Sequence, residues 1–355
     1  NNSSGTADGM IIKYNSDGIV EWAHAIGESG TEIIYSLATM SDGSYIAVGS
    51  FTSTSIDLGN DVILTKNSSN NYNTNGMIIK YSTSGKVEYA KIIGGTGSDS
   101  IISITNTING GYIVGGVLRS ASIDLGDGIT LTNDMSKYNY TRGMLIKYNE
   151  EGRIEWAQEV GEAENGSSGV KCISCTSDGG YLIGGNIELA NGVGSGGNGK
   201  IIKYNSNGEL EWARGVGTEI ETVVETSSGN YIAGGEFDSE SVELENGTIL
   251  TNKREVGRDN YVYGGMIIEF ENTELPNPKV QEAQRIGGTK YDRIKSVEKT
   301  NDGGYIIGGT FNGYSIDLGE GTILTKKSFN YAGIVAKYNA KDKVEWAKVI
   351  GGTRS

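Results

Sequence analysis

The sequence predicts an all-β fold, a β-propeller of four-stranded antiparallel blades, and three observations support this prediction. One motif recurs six times along the 355 residues, as GMIIKY from Gly9 and in variants starting at Gly76, Gly143, Gly199, Gly265 and Gly333. The repeated segments are rich in Ile, Val, Tyr and Thr and are bounded by Gly, Asn, Asp and Ser, which is typical of strands. The chain contains 55 Gly but only 2 Pro, and Pro would interrupt a strand ladder because it lacks an N–H donor.

Each repeat is predicted to contain four strands, named A, B, C and D. In one repeat they cover residues 101–105, 112–116, 143–148 and 154–161. Four-stranded sheets repeated around an axis bury their faces against one another and leave only short edges, which is the organisation of a propeller. We therefore expect a single domain over residues 1–355.

The number of blades follows from counting strand pairs. Six C–D pairs but only five A–B pairs are predicted, so the chain holds five full repeats and one half-blade at residues 9–27. We favour six blade positions with one incomplete, the missing strands lying in a longer parent protein, because residue 355 falls where a further A strand would begin. In the alternative, the ring closes on five units and the extra pair packs elsewhere. An incomplete sheet has an open edge, which would permit self-association.

Composition and charge argue against several classes of function. The 44 acidic and 30 basic residues give a net charge of −14, and nucleic-acid binding needs a basic face instead. No apolar run approaches the length of a membrane span, so membrane insertion is not expected. With one His and two Cys, we predict no cofactor, no metal site and no catalytic residue. His24 is expected to face the solvent, because its counterparts in other repeats are Lys, Gln and Arg.

The long B–C connections are the candidate binding region. They cover residues 50–75, 118–142, 236–264 and 310–332, and a shared turn followed by Leu-Thr or Ile-Leu-Thr predicts an extra small hairpin in each. Their tips are rich in Tyr and Asn, which offer flat apolar area together with hydrogen bonds, and long loops on a rigid scaffold commonly carry binding. Packing of these Tyr against the blades is the alternative. The candidate ligand-binding residues are Asn71, Tyr72, Asn139, Tyr140, Asn260, Tyr261, Asn330 and Tyr331.

Three other signals are interpreted as structural. The run from Gly194 to Lys200 matches part of a phosphate-loop pattern, but it lacks the Ser or Thr after the Lys and a helix beyond it. Cys172 and Cys175 have C-x-x-C spacing without a second pair, so zinc is not expected, and an extended strand would point them to opposite faces. The aromatic residues of the D strands are expected to pack between blades, and they are Trp22, Tyr89, Trp156, Trp212 and Trp346.

Two series of carboxylates recur in the loops. The first lies in the B–C connections and is interpreted as caps of tight turns, because the clustered oxygens of a calcium loop are absent. The second lies in the D–A connections and could hold two carboxylates at the separation that a glycosidase needs, although chance pairing of surface acids is the simpler explanation. The first series is Asp57, Asp124, Glu243 and Asp317. The second series is Glu28, Asp99, Glu162, Glu164, Glu219 and Asp292.

The repeat resembles the bacterial seven-bladed β-propeller repeat family. The resemblance rests on EYAKIIGGTG from Glu88, NGGYIVGG from Asn109 and GMLIKY from Gly143, with SIDLG segments similar to that family's B–C connection. It covers nearly the whole chain. It implies a bacterial protein that is secreted or attached to the cell surface, and it brings no catalytic motif.

These observations together predict a non-catalytic extracellular or cell-surface propeller that acts as a binding or structural module. Its ligand would be a glycan or a protein, held by the face that carries the long B–C connections. Two alternatives remain open. One is a polysaccharide-degrading enzyme that uses carboxylates and Tyr on the same face, and the other is a passive spacer in a long adhesin.

Overall fold

The predicted fold class is confirmed by the structure, a computed structural model that describes residues 6–67, 72–133, 140–162, 167–189, 199–252, 263–272, 278–327 and 330–351. Within these ranges every regular element is a β-strand. The described strands form five four-stranded antiparallel sheets and five two-stranded sheets. The protein is a β-propeller with five four-stranded blades.

The blades follow one another along the chain, and each contains strands A to D of one repeat. Blade 1 contains β3 (Glu32–Thr39), β4 (Tyr45–Phe51), β7 (Asn75–Tyr81) and β8 (Val87–Ile93). Blade 2 contains β9 (Ser100–Asn106), β10 (Tyr112–Leu118), β13 (Arg142–Tyr148) and β14 (Ile154–Val160). Blade 3 contains β15 (Gly169–Cys175), β16 (Tyr181–Asn186), β17 (Gly199–Tyr204) and β18 (Leu210–Gly215). Blade 4 contains β19 (Glu219–Glu225), β20 (Tyr231–Phe237), β23 (Gly264–Glu271) and β24 (Lys279–Ile286). Blade 5 contains β25 (Asp292–Lys299), β26 (Tyr305–Phe311), β29 (Ala332–Tyr338) and β30 (Val344–Ile350).

The remaining strands form the half-blade and four small insertion hairpins. The half-blade consists of β1 (Gly9–Tyr14) and β2 (Val20–Ile26). The insertion hairpins lie in the B–C connections, as predicted. They are β5 (Ser55–Asp57) with β6 (Ile63–Thr65), β11 (Ser122–Asp124) with β12 (Thr130–Thr132), β21 (Ser241–Glu243) with β22 (Ile249–Thr251), and β27 (Ser315–Asp317) with β28 (Ile323–Thr325).

The chain forms two compact units. Unit 1 comprises residues 1–173 and 187–190, and unit 2 comprises residues 174–186 and 191–355. Unit 1 has a core that includes Ile46, Ile78 and Ile146, and unit 2 has a core that includes Ile267 and Ile307. In both units the buried side chains come largely from the B and C strands, which are covered on both faces. The expectation of a single domain over residues 1–355 stays a prediction.

A fixed register joins strands B and C and places two aromatic rings opposite each other. Tyr112 pairs with Tyr148 in blade 2, and their ring centroids lie 4.7 Å apart in a stacked arrangement. Tyr305 and Tyr338 repeat this pair in blade 5 at 5.0 Å. Stacked cross-strand rings bury a large apolar area, so this pair both fixes the register and stabilises the blade.

The Gly-Gly pair that ends strand B is required by a close backbone approach. A Cβ atom on Gly116 would lie 1.9 Å from the carbonyl oxygen of Ser100 on the adjacent strand A. The strand pairing is irregular at this point, where strand A contains a β-bulge. Only Gly leaves room for the bulged strand, which explains why the motif recurs at the end of strand B.

Three of the five D-strand aromatics, Trp22, Tyr89 and Trp212, have described contacts between blades, as predicted, whereas Trp346 is exposed. Trp22 lies 5.7 Å from the ring of Tyr45 in blade 1, between centroids. The hydroxyl of Tyr89 in blade 1 lies 3.1 Å from that of Tyr112 in blade 2. Trp212 packs in the same manner at 5.5 Å from its aromatic partner in blade 4.

The expectation that His24 faces the solvent is wrong. Its ring is half-buried, stacks on Tyr81 at 5.4 Å and donates from Nε2 to the Gly85 carbonyl oxygen, 2.7 Å away. Lys91, at the equivalent position in blade 1, donates to the carbonyl oxygen of Gly152 at 2.6 Å. A polar residue at this position of strand D therefore forms a hydrogen bond to the C–D turn of the next blade. A polar residue type at this position does not indicate that the side chain is exposed.

The half-blade consequently occupies a blade position beside blade 1. Strand β2 contacts blade 1 through Trp22 and His24 in the way that β8 contacts blade 2 through Tyr89 and Lys91. The backbone N–H of Glu32 also donates to the carbonyl oxygen of Ala7, at 2.8 Å.

Candidate functional site

The insertion hairpins have one buried and one exposed face. The central residue of the first strand, such as Ile56 or Ile123, is buried in its blade. The first residue of the second strand points outward, and it is an exposed isoleucine in three of the four hairpins, at Ile63, Ile249 and Ile323. Single exposed apolar side chains are normal on a protein surface, but their recurrence at one position of three hairpins makes the outer face of each hairpin a candidate contact surface.

Three of the four recurrent carboxylates of these hairpins, Asp57, Asp124 and Asp317, cap tight turns, as predicted. A carboxylate oxygen of Asp57 accepts a hydrogen bond from the backbone N–H of Gly59 at 2.8 Å. Asp124 and Asp317 make the same bond to the glycine two residues later, at 2.9 and 3.0 Å. These acids are therefore engaged in forming the turns.

The predicted tip residues are only partly described. Tyr72 is 90% exposed and Tyr331 is 57% exposed, whereas Tyr140 is half-buried. Asn330 is exposed, and its carbonyl oxygen accepts a hydrogen bond from Lys326. Asn71, Asn139, Asn260 and Tyr261 lie outside the described residues. The assignment of these eight residues to ligand binding stays a prediction.

The D–A carboxylates do not form one surface-exposed set. Asp99 is fully buried, and its two oxygens accept hydrogen bonds from the backbone N–H groups of Gly95, Arg119 and Ser120 and from the Ser120 hydroxyl. Asp292 is also fully buried and accepts from the backbone of Gly288 at 2.6 Å. Glu164 lies outside the described residues. Asp99 and Asp292 therefore tie a D–A connection to the end of strand B, which is a structural role.

Two buried carboxyl groups have strongly raised pKa values. Burial raises the pKa of Asp292 to about 7, against the lowering effect of the Gly288 N–H and the Arg285 charge. Burial likewise raises the pKa of Glu236 to about 7, although the charges of Arg293 and Lys295 oppose the shift. A carboxyl group that holds its proton near neutral pH is chemically competent as a general acid, so Glu236 is the carboxyl group to weigh for catalysis.

Glu236 belongs to a charged cluster on blades 4 and 5 that sequence reasoning missed. Carboxylate oxygens of Glu219, Glu221 and Glu236 lie within 4.8 Å of one another. Strand A of blade 5 brings two cations to them, Arg293 at 2.5 Å from Glu236 and Lys295 at 3.1 Å from Glu221. Three carboxylates at this spacing could hold a cation, but the two basic side chains already balance much of their charge.

An acidic pocket on blades 4 and 5 is the second feature that sequence reasoning missed. In the other blades a Lys on strand C pairs with a Glu on strand D, as Lys203 does with Glu211 at 2.8 Å. Blade 4 has Glu269 at that position, paired in register with Glu282, which replaces the usual aromatic residue.

A cavity of about 310 Å³ lies beside this substitution and is lined by Glu269, Tyr305 and Asp342. Burial and the neighbouring Asp342 and Glu282 raise the pKa of Glu269, and the Tyr305 hydroxyl donates to Asp342 at 2.8 Å. The signal was present in the sequence, since VQEAQRIG from Val280 breaks the repeat pattern. The sequence did not show that Tyr305 and Asp342 of blade 5 would line a cavity with Glu282.

The cysteines and the glycine-rich run do not point to a functional site in the described residues. Both Cys172 and Cys175 are free thiols, the first buried and the second half-buried. Residues 190–198 of the glycine-rich run lie outside the described residues, but Gly199 begins strand C of blade 3, as predicted.

Comparison with known proteins identifies the fold and no family. No family model and no curated protein matches the chain, so the family resemblance is not confirmed. The crystal structure of a protein of unknown function from Bacteroides caccae matches with a TM-score of 0.51 and 12% identity, over 98% of this chain and 91% of that chain. At this identity the similarity shows the propeller fold alone.

Two further solved structures are more distant. Drosophila Plexin A in complex with Semaphorin 1b matches with a TM-score of 0.40 and 9% identity, over 87% of this chain and 54% of that chain. An extracellular domain from B. thetaiotaomicron matches with a TM-score of 0.29 and 12% identity, over 98% of this chain and 51% of that chain. At these TM-scores neither similarity supports a conclusion about function. In the described ranges no helix is long and apolar enough to cross a membrane.

Proposed function

We propose that this β-propeller is a non-catalytic binding module whose contact surface is the face that carries the insertion hairpins. The observation that carries the proposal is the exposure of apolar and aromatic side chains in the B–C connections of each unit. In unit 1 these are Ile63 and Tyr72, and in unit 2 they include Ile323 and Tyr331. Asp57 and Asp124 of the same hairpins cap turns, so these two carboxylates are engaged within the protein. Aromatic rings of this kind anchor both glycans and proteins at interfaces.

Replacement of the two exposed tyrosines tests this surface. Tyr72→Ser combined with Tyr331→Ser should abolish binding in a glycan array and in pull-down against defined protein ligands, with the melting temperature unchanged. Tyr72→Phe combined with Tyr331→Phe is the matched control, because it keeps the rings and should retain most of the binding. Binding that survives the serine variant would remove this face as the site. A chain that binds nothing in either assay would favour a passive spacer.

An enzyme is the second candidate, and one observation favours it. Glu236 has a pKa of about 7 and lies beside Glu219 and Glu221, an arrangement that would allow one carboxyl group to act as an acid. Turnover of a polysaccharide panel that disappears with Glu236→Gln would replace the binding proposal with this one. Absence of turnover by the unaltered chain would reject it.

The cellular location and the finer family assignment belong to the same proposal. The resemblance to the bacterial seven-bladed repeat family favours a secreted or surface-attached bacterial protein. An excess of acidic over basic residues is compatible with that location because it favours solubility and self-repulsion.

A further inference from the structure

Strand β1 of the half-blade is paired along one edge only. It pairs with β2 from Gly9 opposite Ile26 to Tyr14 opposite Val20, with one register shift between Lys13 and Tyr14. Among the described strands no other strand pairs with β1, whereas strand C of every complete blade lies between two partners. The half-blade therefore has an outer hairpin and lacks the inner pair, strands A and B.

The side chains of β1 show what the missing pair would cover. Met10 is 69% exposed and Tyr14 is 54% exposed. Their counterparts in blade 2, Met144 and Tyr148, are fully buried. The sequence is nearly the same in the two strands, so the difference in exposure comes from the absence of strand B beside β1.

Strand A of blade 1 extends the same exposed surface. Leu37 on β3 is 52% exposed, while Ile104 at the same position of β9 is buried. In blades 3 and 5 this position packs on the first Gly of the Gly-Gly pair in the preceding blade, and in blade 2 it lies in one core cluster with Val48, which replaces that Gly in blade 1. A Cβ on Gly115 would lie 2.6 Å from Ile173, and a Cβ on Gly234 would lie 3.3 Å from Val297. Leu37 has no such backbone against it, because the half-blade lacks strand B.

We propose that β1 and Leu37 form a docking site for an antiparallel β-hairpin with the inner-strand sequence of this repeat, in which strand B reads Tyr, two apolar residues and Gly-Gly. Main-chain pairing to the free edge of β1 supplies affinity, and the side chains fix the register. The register of blade 2 places the Tyr of the incoming strand opposite Tyr14, as Tyr112 lies opposite Tyr148. It places the second Gly opposite Met10, as Gly116 lies opposite Met144.

The sequence requirement of the hairpin follows from the same contacts. Gly is needed at the fifth position of strand B, as at Gly116, because of the bulge of the hairpin's own strand A. The fourth position accepts Gly or a small apolar residue, since blade 1 has Val48 there. The Tyr is needed to stack on Tyr14, since the blade 2 rings stack at 4.7 Å. Unrelated hairpins lack this combination, so the site is selective for inner hairpins of this repeat type.

Binding of a synthetic peptide to the full chain tests the proposal. The probe is a fluorescently labelled peptide of residues 98–119, which carries β9 and β10. We expect saturable binding by fluorescence anisotropy and slowed hydrogen exchange of the β1 amides, because docking pairs the free edge. Amides of β13, which already lie between two strands, should be unchanged.

Two matched variants make the test specific. The same peptide with Tyr112→Ser can still form its hairpin but loses the ring that would stack on Tyr14, so its affinity should fall by at least about tenfold. In the chain, Leu37→Asp should weaken binding of the unaltered peptide by a similar factor. Ile63→Asp, at an exposed position of an insertion hairpin, should leave binding unchanged.

Several outcomes would overturn the proposal. A peptide that does not bind, or that binds equally well with Tyr112→Ser, would exclude a sequence-specific inner hairpin. Binding without protection of the β1 amides would place the contact elsewhere. A chain that dimerises through β1 and is not dissociated by the peptide would identify a second copy as the occupant.

Discussion

The half-blade and blade 2 have nearly the same outer strands and very different surroundings. In both, strand C pairs with strand D with one register shift at the same place, between Lys13 and Tyr14 and between Lys147 and Tyr148. In blade 2 the inner strands bury Met144 and Tyr148 of strand C, and in the half-blade the equivalent Met10 and Tyr14 are exposed while Ile11 stays buried. The pairing of strands C and D therefore depends on the sequence of the outer hairpin itself. The burial of strand C depends on the inner strands A and B of the same blade.

The largest expected effect is at the tyrosine that ends strand C. Tyr148→Ala should destabilise the protein by about 3–5 kcal/mol, because it removes a buried ring stacked on Tyr112. Tyr14→Ala should cost less than about 1 kcal/mol, because that ring is more than half exposed. Urea unfolding of the two variants measures the difference. Equal losses would mean that Tyr14 is covered in solution.

The second expected effect concerns the pH dependence of stability, and it compares the buried carboxyl groups at the start of strand A in blades 5 and 2. The pKa of Asp292 is raised to about 7 by burial, so between about pH 4 and 7 the folded protein holds a proton that the unfolded chain has released. Stability is thus lost as the pH rises through this window, by up to about 4 kcal/mol for a pKa difference of about three units, and Asp292→Asn should remove that loss.

Asp99→Asn in blade 2 is the contrasting variant. Asp99 accepts four hydrogen bonds in a buried site. The Asn side chain would present an NH₂ group to some of these donors, so Asp99→Asn should destabilise the protein at every pH tested. Chemical denaturation from pH 4 to 8 separates the two results. An unaltered pH slope in Asp292→Asn would show that this carboxyl group is ionised in the folded state.

A smaller effect tests whether strand D of the half-blade is hydrogen-bonded to blade 1 as strand D of blade 1 is to blade 2. His24→Leu and Lys91→Leu each remove one hydrogen bond to a C–D turn of the next blade and should each cost about 1 kcal/mol. Similar losses of stability in thermal unfolding would show that both hydrogen bonds form. No loss in His24→Leu would mean that the half-blade is not held against blade 1.

The smallest effect is expected at the exposed position of β3. Leu37→Thr should change stability by no more than about 0.5 kcal/mol, whereas Ile104→Thr removes a buried side chain and should cost about 2 kcal/mol or more. Binding of a hydrophobic dye should fall in Leu37→Thr, because part of an exposed apolar patch is lost. A large destabilisation by Leu37→Thr would contradict the exposed surface described for the half-blade.

Much of the fold could be predicted because its signals are local. The GMIIKY motif, the Gly-Gly pair and the Asp turn of the insertion hairpins each specify a strand, a bulge or a turn within a few residues. The excess of C–D over A–B pairs was also countable in the sequence, and the half-blade is present. The exposure of His24 was predicted wrongly, because a polar side chain can be engaged in a hydrogen bond to the next blade as readily as with water.

The candidate sites were predictable only in part. The exposure of Tyr72 and Tyr331 agrees with their place at loop tips. Glu236 and Arg293 carried no local pattern, and their contact depends on how blade 5 lies against blade 4. The break in the repeat at Glu282 was visible, but the cavity beside it also needs Tyr305 and Asp342 from blade 5.

The sequence by itself determined the strands, their antiparallel order, the repeated blades and the insertion hairpins, because hydrophobic alternation and turn chemistry act between residues close in the chain. Only the tertiary structure decided which equivalent residues are buried or exposed and which charges meet. Burial and electrostatic contact are properties of neighbouring blades, and for this reason Met10 and Met144 share a motif but not an environment.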